Sequence, residues 1–163
     1  MIYIGIDPGL SGAVAEIDSN GGVVIHDTPT MQVKKSGKAK TEYLPLQMAD
    51  ILIDYVPLNC HVFIEKVNAM PGQGVTSMFN FGRGFGIWIG ILAALKLPYS
   101  LIMPQAWKKE LMKGMSDKDA ARVRAQQLFP QTIHELSRKK DIGRADALLI
   151  AEYGRRVSEH SPQ

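Results

Sequence analysis

Three carboxylates stand where chemistry would need them. Asp7 closes the apolar run Ile2-Tyr3-Ile4-Gly5-Ile6 and is followed at once by Pro8-Gly9-Leu10-Ser11-Gly12. Glu65 closes a second apolar run, Cys60-His61-Val62-Phe63-Ile64. Asp146 lies in Arg144-Ala145-Asp146-Ala147-Leu148-Leu149-Ile150, and Leu149, Ile150 and Tyr153 follow it at helical spacing. They therefore share its helix face. A carboxylate at the tip of a buried strand is costly to desolvate and usually has a cation beside it. Adjacent strands lie about 4.8 Å apart, so acids ending two neighbouring strands can share one ion. Asp141, in the polar segment before the last helix, is a fourth candidate. Mg²⁺ favours such oxygen donors, and two ions about 3.5–4 Å apart can activate water and stabilise the leaving oxygen of a phosphodiester. Each acid also has an ordinary reading, as a turn residue, a surface ion pair or a first-turn helix residue. The joint pattern is the specific one.

The elements that must position these acids follow from periodicity. Residues 1–28 read as a three-stranded antiparallel meander, with Ser19-Asn20-Gly21-Gly22 as a hairpin turn. Residues 29–42 lack periodicity, are rich in Lys, Thr, Ser and Gly, and read as a mobile basic loop. Leu44, Leu46, Met48, Ile51, Leu52 and Tyr55 form a helical apolar stripe. A strand over 60–64 follows, then a loop over 67–77, a helix over 78–95 and a strand over 99–103. Helices are expected at 105–113, 117–129 and 144–157. The order is βββ-α-β-α-β and then helices. That order implies an α/β fold with a mixed five-stranded sheet covered by helices, its first, fourth and fifth strands running parallel.

Composition narrows the classes. The chain has 163 residues and a formal charge of +3, which fits one domain with a sizeable core. Its single cysteine, Cys60, excludes an internal disulfide and a Cys-based zinc cluster. There is no basic n-region with an apolar h-region, no transit-peptide pattern and no apolar run long enough to span a bilayer, so a cytoplasmic protein is expected. The modest net charge hides three basic clusters: Lys34, Lys35, Lys38 and Lys40; Lys108, Lys109, Lys113 and Lys118 with Arg122 and Arg124; and Arg138, Lys139 and Lys140. Gly82, Gly84, Gly86 and Gly90 crowd one helix, where each costs about 1 kcal/mol against Ala. Close approach of a backbone from the sheet, a DNA strand or a second subunit would compensate.

The ordered motifs resemble a known family. Ile4-Gly5-Ile6-Asp7-Pro8-Gly9, Ile64-Glu65, Pro104-Gln105 with Lys108, Asp117-Lys118 and Ala145-Asp146-Ala147-Leu148 look like those of RuvC-type Holliday junction resolvases, within the RNase H-like superfamily. The stretch from Glu65 to Gly74 and the ending from Gly143 to Gly154 resemble the phage, prophage and plant chloroplast branch. The resemblance implies a homodimer that binds four-way DNA junctions and makes paired symmetric nicks with Mg²⁺ or Mn²⁺, two ions per site. It places Asp7, Glu65 and Asp146 on three of four catalytic, metal-binding acids. The fourth departs from pattern. The family's acid or His falls at Gly143, or in the nearer branch at Ile142, so Asp141 is assigned, with a water or Glu152 as substitute.

The same resemblance puts Lys108 and Lys118 near the scissile phosphate, Lys118 in the catalytic set. Lys109, Lys113, Arg83 and Arg122 are expected on the DNA backbone. Residues 70–83 approach the junction centre, with Gln73 in contact and Phe79 or Phe81 stacking on a base, one of the two rings free and the other in the core. Other classes fit less well. A phosphotransferase of the actin/hexokinase type needs two such domains. A junction- or RNA-binding module without catalysis is supported only by the irregular fourth acid. An RNA-processing nuclease of the same superfamily is disfavoured by the basic loop and the motif order after Pro104.

Overall fold

In the computed structural model, described for residues 1–35, 37–68 and 72–160, a five-stranded mixed sheet carries helices on both faces. The strands are β1 (Ile2–Asp7), β2 (Ala13–Ile17), β3 (Val23–Asp27), β6 (Cys60–Glu65) and β7 (Tyr99–Ile102), in the order β3-β2-β1-β6-β7. β1, β2 and β3 form the antiparallel meander, and β1, β6 and β7 run parallel. The helices are α1 (Pro45–Ile53), α2 (Val75–Ala94), α3 (Pro104–Leu111), α4 (Ala120–Leu128) and α5 (Ile142–His160). Among the described residues no helix is long and apolar enough to cross a membrane.

The expected loop over 29–42 is instead a hairpin. β4 (Thr30–Lys35) and β5 (Lys38–Tyr43) pair antiparallel as a separate two-stranded sheet. Neither face of this ribbon is packed into the core along its length, so its sequence shows none of the apolar alternation that marks a half-buried strand. Gly37, at φ 76°, turns the chain beside Lys38. Ser36 and residues 69–71, the last two of which open the segment expected at the junction centre, lie outside the described residues.

Strand alternation divides the core in two. Ile4, Ile6, Val62 and Ile64 point to one side, where Trp88 and Leu92 of α2 and Met48 and Leu52 of α1 pack on them. Tyr3, Ala13, Ala15, Ile17 and Phe63 point to the other, beneath α3, α4 and α5. With a period of two, Asp7 and Glu65 belong to the second face, the one covered by α5.

Candidate active site

Register brings the first two acids together. Ile6 of β1 pairs with Ile64 of β6 in the parallel ladder. Asp7 and Glu65, each one residue further on, thus end adjacent strands and face the same way. The Asp7 carboxylate accepts the backbone N–H of Gly9 at 3.2 Å, which fixes it against the turn that follows.

α5 supplies the third acid because it lies directly on the sheet. Gly5 has no side chain under it, and a Cβ there would stand 2.1 Å from the Ala147 carbonyl oxygen and 2.4 Å from the Ala151 nitrogen. At the start of α5, a Cβ on Gly143 would stand 2.0 Å from the Ser11 carbonyl oxygen. These two contacts set the helix height over Asp7 and over the turn after it. Asp146 is one residue from Ala147, so the height also sets its approach to Asp7. Replacing Gly5 with Val forces backbone against backbone; we expect a loss of roughly 1–3 kcal/mol or more, read as a lower thermal midpoint.

The electrostatics show that the three acids feel each other. Burial pushes the Asp7 carboxyl up to about 6, with the negative charge of Glu65 adding to the rise and the Gly9 hydrogen bond and Lys108 opposing it. Burial pushes Asp146 up to about 8, helped by the charges of Asp7 and Glu65 and opposed by Lys108. Among the described residues no three His, Cys, Asp or Glu side chains already stand close enough to enclose one ion. What is present is a set of crowded, incompletely neutralised carboxylates, the electrostatic condition that an added cation relieves.

Trp107 was not singled out by sequence. It is fully buried on α3, and its indole N–H donates to Glu65 Oε1 at 3.0 Å. Lys108 Nζ lies 5.1 Å from the centre of the same ring. One indole therefore orients an acid and packs under the lysine that faces the other two. Trp107→Phe keeps most of the volume and removes the donor. The variant should melt below wild type by the worth of one hydrogen bond to a charged group, roughly 1.5–3 kcal/mol.

A cleft of about 700 Å³ opens over these groups. Asp7, Glu65 and Asp146 line it, with Ser11, Tyr43, Gln73, Ser77, Asn80, Phe81, Lys139 and Lys140 among its walls. Two strand ends and one helix thus set three acids at the floor of an open groove with lysines on its rim.

The whole chain superposes on Thermus thermophilus RuvC in complex with a Holliday junction substrate, with a TM-score of 0.58, 17% identity and 99% of that chain covered. The fold is that of RuvC. A second Thermus thermophilus RuvC structure matches over 97% of both chains, with a TM-score of 0.53 and 15% identity. Among curated proteins, the chloroplastic Holliday junction resolvase MOC1 of Chlamydomonas reinhardtii is 33% identical over 98 residues, which is 60% of this chain. The chain spans only 11% of the length of that relative. No family model matches.

On this RuvC fold the remaining sequence candidates separate. Asp141 is not with the other acids. It is 2% exposed and holds both the Arg138 guanidinium, at 2.8 Å, and the Arg138 backbone N–H. That ion pair keeps its carboxyl below the ordinary range despite burial. It lines a separate cavity of about 230 Å³ with Asp27, Thr28 and Thr30. Glu152, the substitute, is equally committed: it is 2% exposed and pairs with Arg155 and Arg156.

Two arginines expected on DNA are internal struts. Arg83 pairs with Glu42 and sits over the Tyr43 ring. Arg122 donates to the Leu136 and Ser137 carbonyls and pairs with Asp119. Lys109, Lys113 and Lys118 are exposed and do not line the cleft, whereas Lys108 faces the acids. Gln73 lines the cleft.

The two phenylalanines are arranged differently from expectation, for neither is in the core. Gly84, Trp88 and Leu92 form the buried stripe of α2. Phe81 is half-buried at the cleft edge, and Phe79 is 66% exposed. The helix glycines divide too. Gly84 packs tightly under Tyr43 and Pro8, while Gly82, Gly86 and Gly90 have open space where a Cβ would stand. Lys139 and Lys140 were seen only as a charge cluster. Their place on the cleft wall depends on how a short 3-10 turn, Lys139–Asp141, leads into α5, which no local pattern encodes.

Proposed function

We propose that this chain is a structure-selective endodeoxyribonuclease that resolves four-way DNA junctions by paired symmetric nicks, acting as one RNase H-like domain over residues 1–163 and as a homodimer. The observation that carries the reading is the meeting of Asp7, Glu65 and Asp146 in an open groove on a RuvC fold. The partial likeness to a chloroplastic junction resolvase supports the same substrate. We place it in a bacterial or phage-infected host cytoplasm.

The donor set fits a hard divalent ion. Three carboxylates line one groove with no sulfur or imidazole among its described walls, and burial has left two of them short of positive charge. A modest closing of these side chains would let Asp7, Glu65 and Asp146 hold Mg²⁺ or Mn²⁺ as a pair of ions. Such ions lower the pKa of water and neutralise charge on the phosphate and leaving oxygen. Asp141 enters that set only if it leaves Arg138.

The chain's own residues do the rest. The Trp107 indole holds Glu65 in orientation. The Lys108 ammonium, whose charge reaches Asp7 and Asp146, would hold a non-bridging phosphate oxygen as charge develops there, while Lys118, away from the cleft lining, would serve only a phosphate further along the strand. Phe81 at the groove edge, and Phe79 beyond it, offer rings on which an unpaired base can stack, a contact worth about 1–3 kcal/mol. Gln73 reaches the nucleotide next to it, while Lys109 and Lys113 take backbone phosphates.

The test is a panel of substrates with and without Mg²⁺: a synthetic four-way junction, a linear duplex of the same sequence and an RNA–DNA hybrid. Mg²⁺-dependent cutting of the junction alone is the expected result. Equal cutting of the hybrid would transfer the protein to the RNA-processing nucleases, and junction binding without any cutting would make it a binding module.

A further inference from the structure

The β4–β5 hairpin has no place in the chemistry above, and its construction is uneven from base to tip. At the base, Tyr43 is 6% exposed, and its hydroxyl donates to the Asn80 carbonyl at 3.2 Å or the Pro8 carbonyl at 3.3 Å. Those carbonyls belong to α2 and to the turn after Asp7, both walls of the cleft. Arg83 of α2 pairs with Glu42 and lies over the Tyr43 ring, 5.3 Å from its centre. Gly84 makes room for this contact, since a Cβ there would stand 2.3 Å from the Tyr43 hydroxyl. Every charge at this end is matched.

Toward the tip, two described lysines have no acidic partner. Residues 30–43 carry four lysines and one glutamate, and Lys40 already shares that glutamate with Arg83. Lys34 and Lys38 are exposed and meet no carboxylate among the described residues. In the ladder the Lys38 backbone is in register with that of position 35. A two-stranded ribbon is marginal by itself, so this one is held from its base and spends its free end on unpaired cations.

We propose that the hairpin is an arm that grips the phosphate backbone of DNA beside the active cleft, with Lys34 and Lys38 as its contacts and the Tyr43–Arg83–Glu42 clamp fixing its angle to the acids. The proposal rests on the nuclease reading. A nucleic-acid backbone is the partner that fits, because the unmatched charge lies on an extended ribbon rooted in the cleft wall, with no pocket to select a small anion.

The test compares wild type, Lys34→Ala/Lys38→Ala and Lys34→Arg/Lys38→Arg for equilibrium binding to a four-way junction and a linear duplex over a range of KCl. Each phosphate contact contributes about 0.9 to the slope of log affinity against log salt. The alanine pair should therefore flatten the slope by about 2 on the junction, and the arginine pair should restore it. An unchanged slope would overturn the arm, including the case where the lysines only keep hairpin edges apart and their loss lowers solubility alone. Wild-type cutting of the junction is scored in the same samples. A lysine-dependent slope with no cutting would leave the arm standing and remove the nuclease.

Discussion

Asp7→Asn leaves four-way junctions bound but uncut. Asparagine keeps the shape of the side chain and removes one anionic donor from the floor of the groove, where Glu65 and Asp146 crowd it. Metal-assisted charge stabilisation is worth several kcal/mol, and about 1.4 kcal/mol is a factor of ten, so single-turnover nicking in Mg²⁺ should fall by at least about 10³-fold. Binding should hold or tighten, because the lost charge repelled phosphate. Gel-shift and nicking measurements on the same junction separate the two effects. Cutting by Asp7→Asn at the wild-type rate would remove Asp7 from the reaction. Loss of binding together with cutting would make it a structural residue of the turn at Gly9.

The second large effect is on stability, in the metal-free protein, and it has a definite sign. Burial raises Asp146 to about 8 and Asp7 to about 6, both above the ordinary carboxylate value. The folded state therefore binds these protons more tightly than the unfolded chain. Below about pH 4 both states are protonated and the sites cost little. As pH rises from about 4, the unfolded chain releases its protons while the folded one holds them until about 6 at Asp7 and about 8 at Asp146. Stability falls across that window, on the order of a few kcal/mol.

Asp146→Asn has no proton to lose at that position and removes a neighbour that raises charge density beside Asp7. At pH 9 in EDTA the variant should melt several degrees above wild type, since about 1 kcal/mol moves the midpoint of a chain this size by roughly 2–4 °C. At about pH 3.5, below the ordinary carboxylate value, the two should nearly coincide. Mg²⁺ at pH 9 should close the gap by raising wild type more than the variant. A variant that melts lower at pH 9 would show that Asp146 is held by a stabilising partner rather than strained by its neighbours.

The parts of the fold legible in sequence were those in which burial writes a period. Ile2, Ile4 and Ile6 alternate because one side of β1 faces α1 and α2. The same alternation gave the sheet, its parallel strands and the direction of Asp7 and Glu65. Asp146 was legible because α5 is apolar around it. The β4–β5 hairpin was not, since Thr, Gln and Lys on a ribbon open to solvent read like any polar loop. Asp141 failed for another reason. Its spacing from Asp146 is close to a ligand's, yet Arg138 stands three residues before it and completes an ion pair and a capping contact within one turn. Helix ends moved by two or three residues, α2 beginning at Val75 and α5 at Ile142, where the apolar pattern has not yet started. Trp107 carried no signal as a partner of Glu65, because the two meet across 42 positions of sequence.

The most direct measurement maps the cuts. A four-way junction with a fixed centre is labelled in turn on each of its four strands and incubated with the protein in Mg²⁺, and the product lengths are read at nucleotide resolution. The expected result is nicks on one opposed pair of strands, at symmetry-related positions near the crossover, with no product in EDTA. Cuts scattered over all four strands, or equal cutting of a linear duplex, would contradict it.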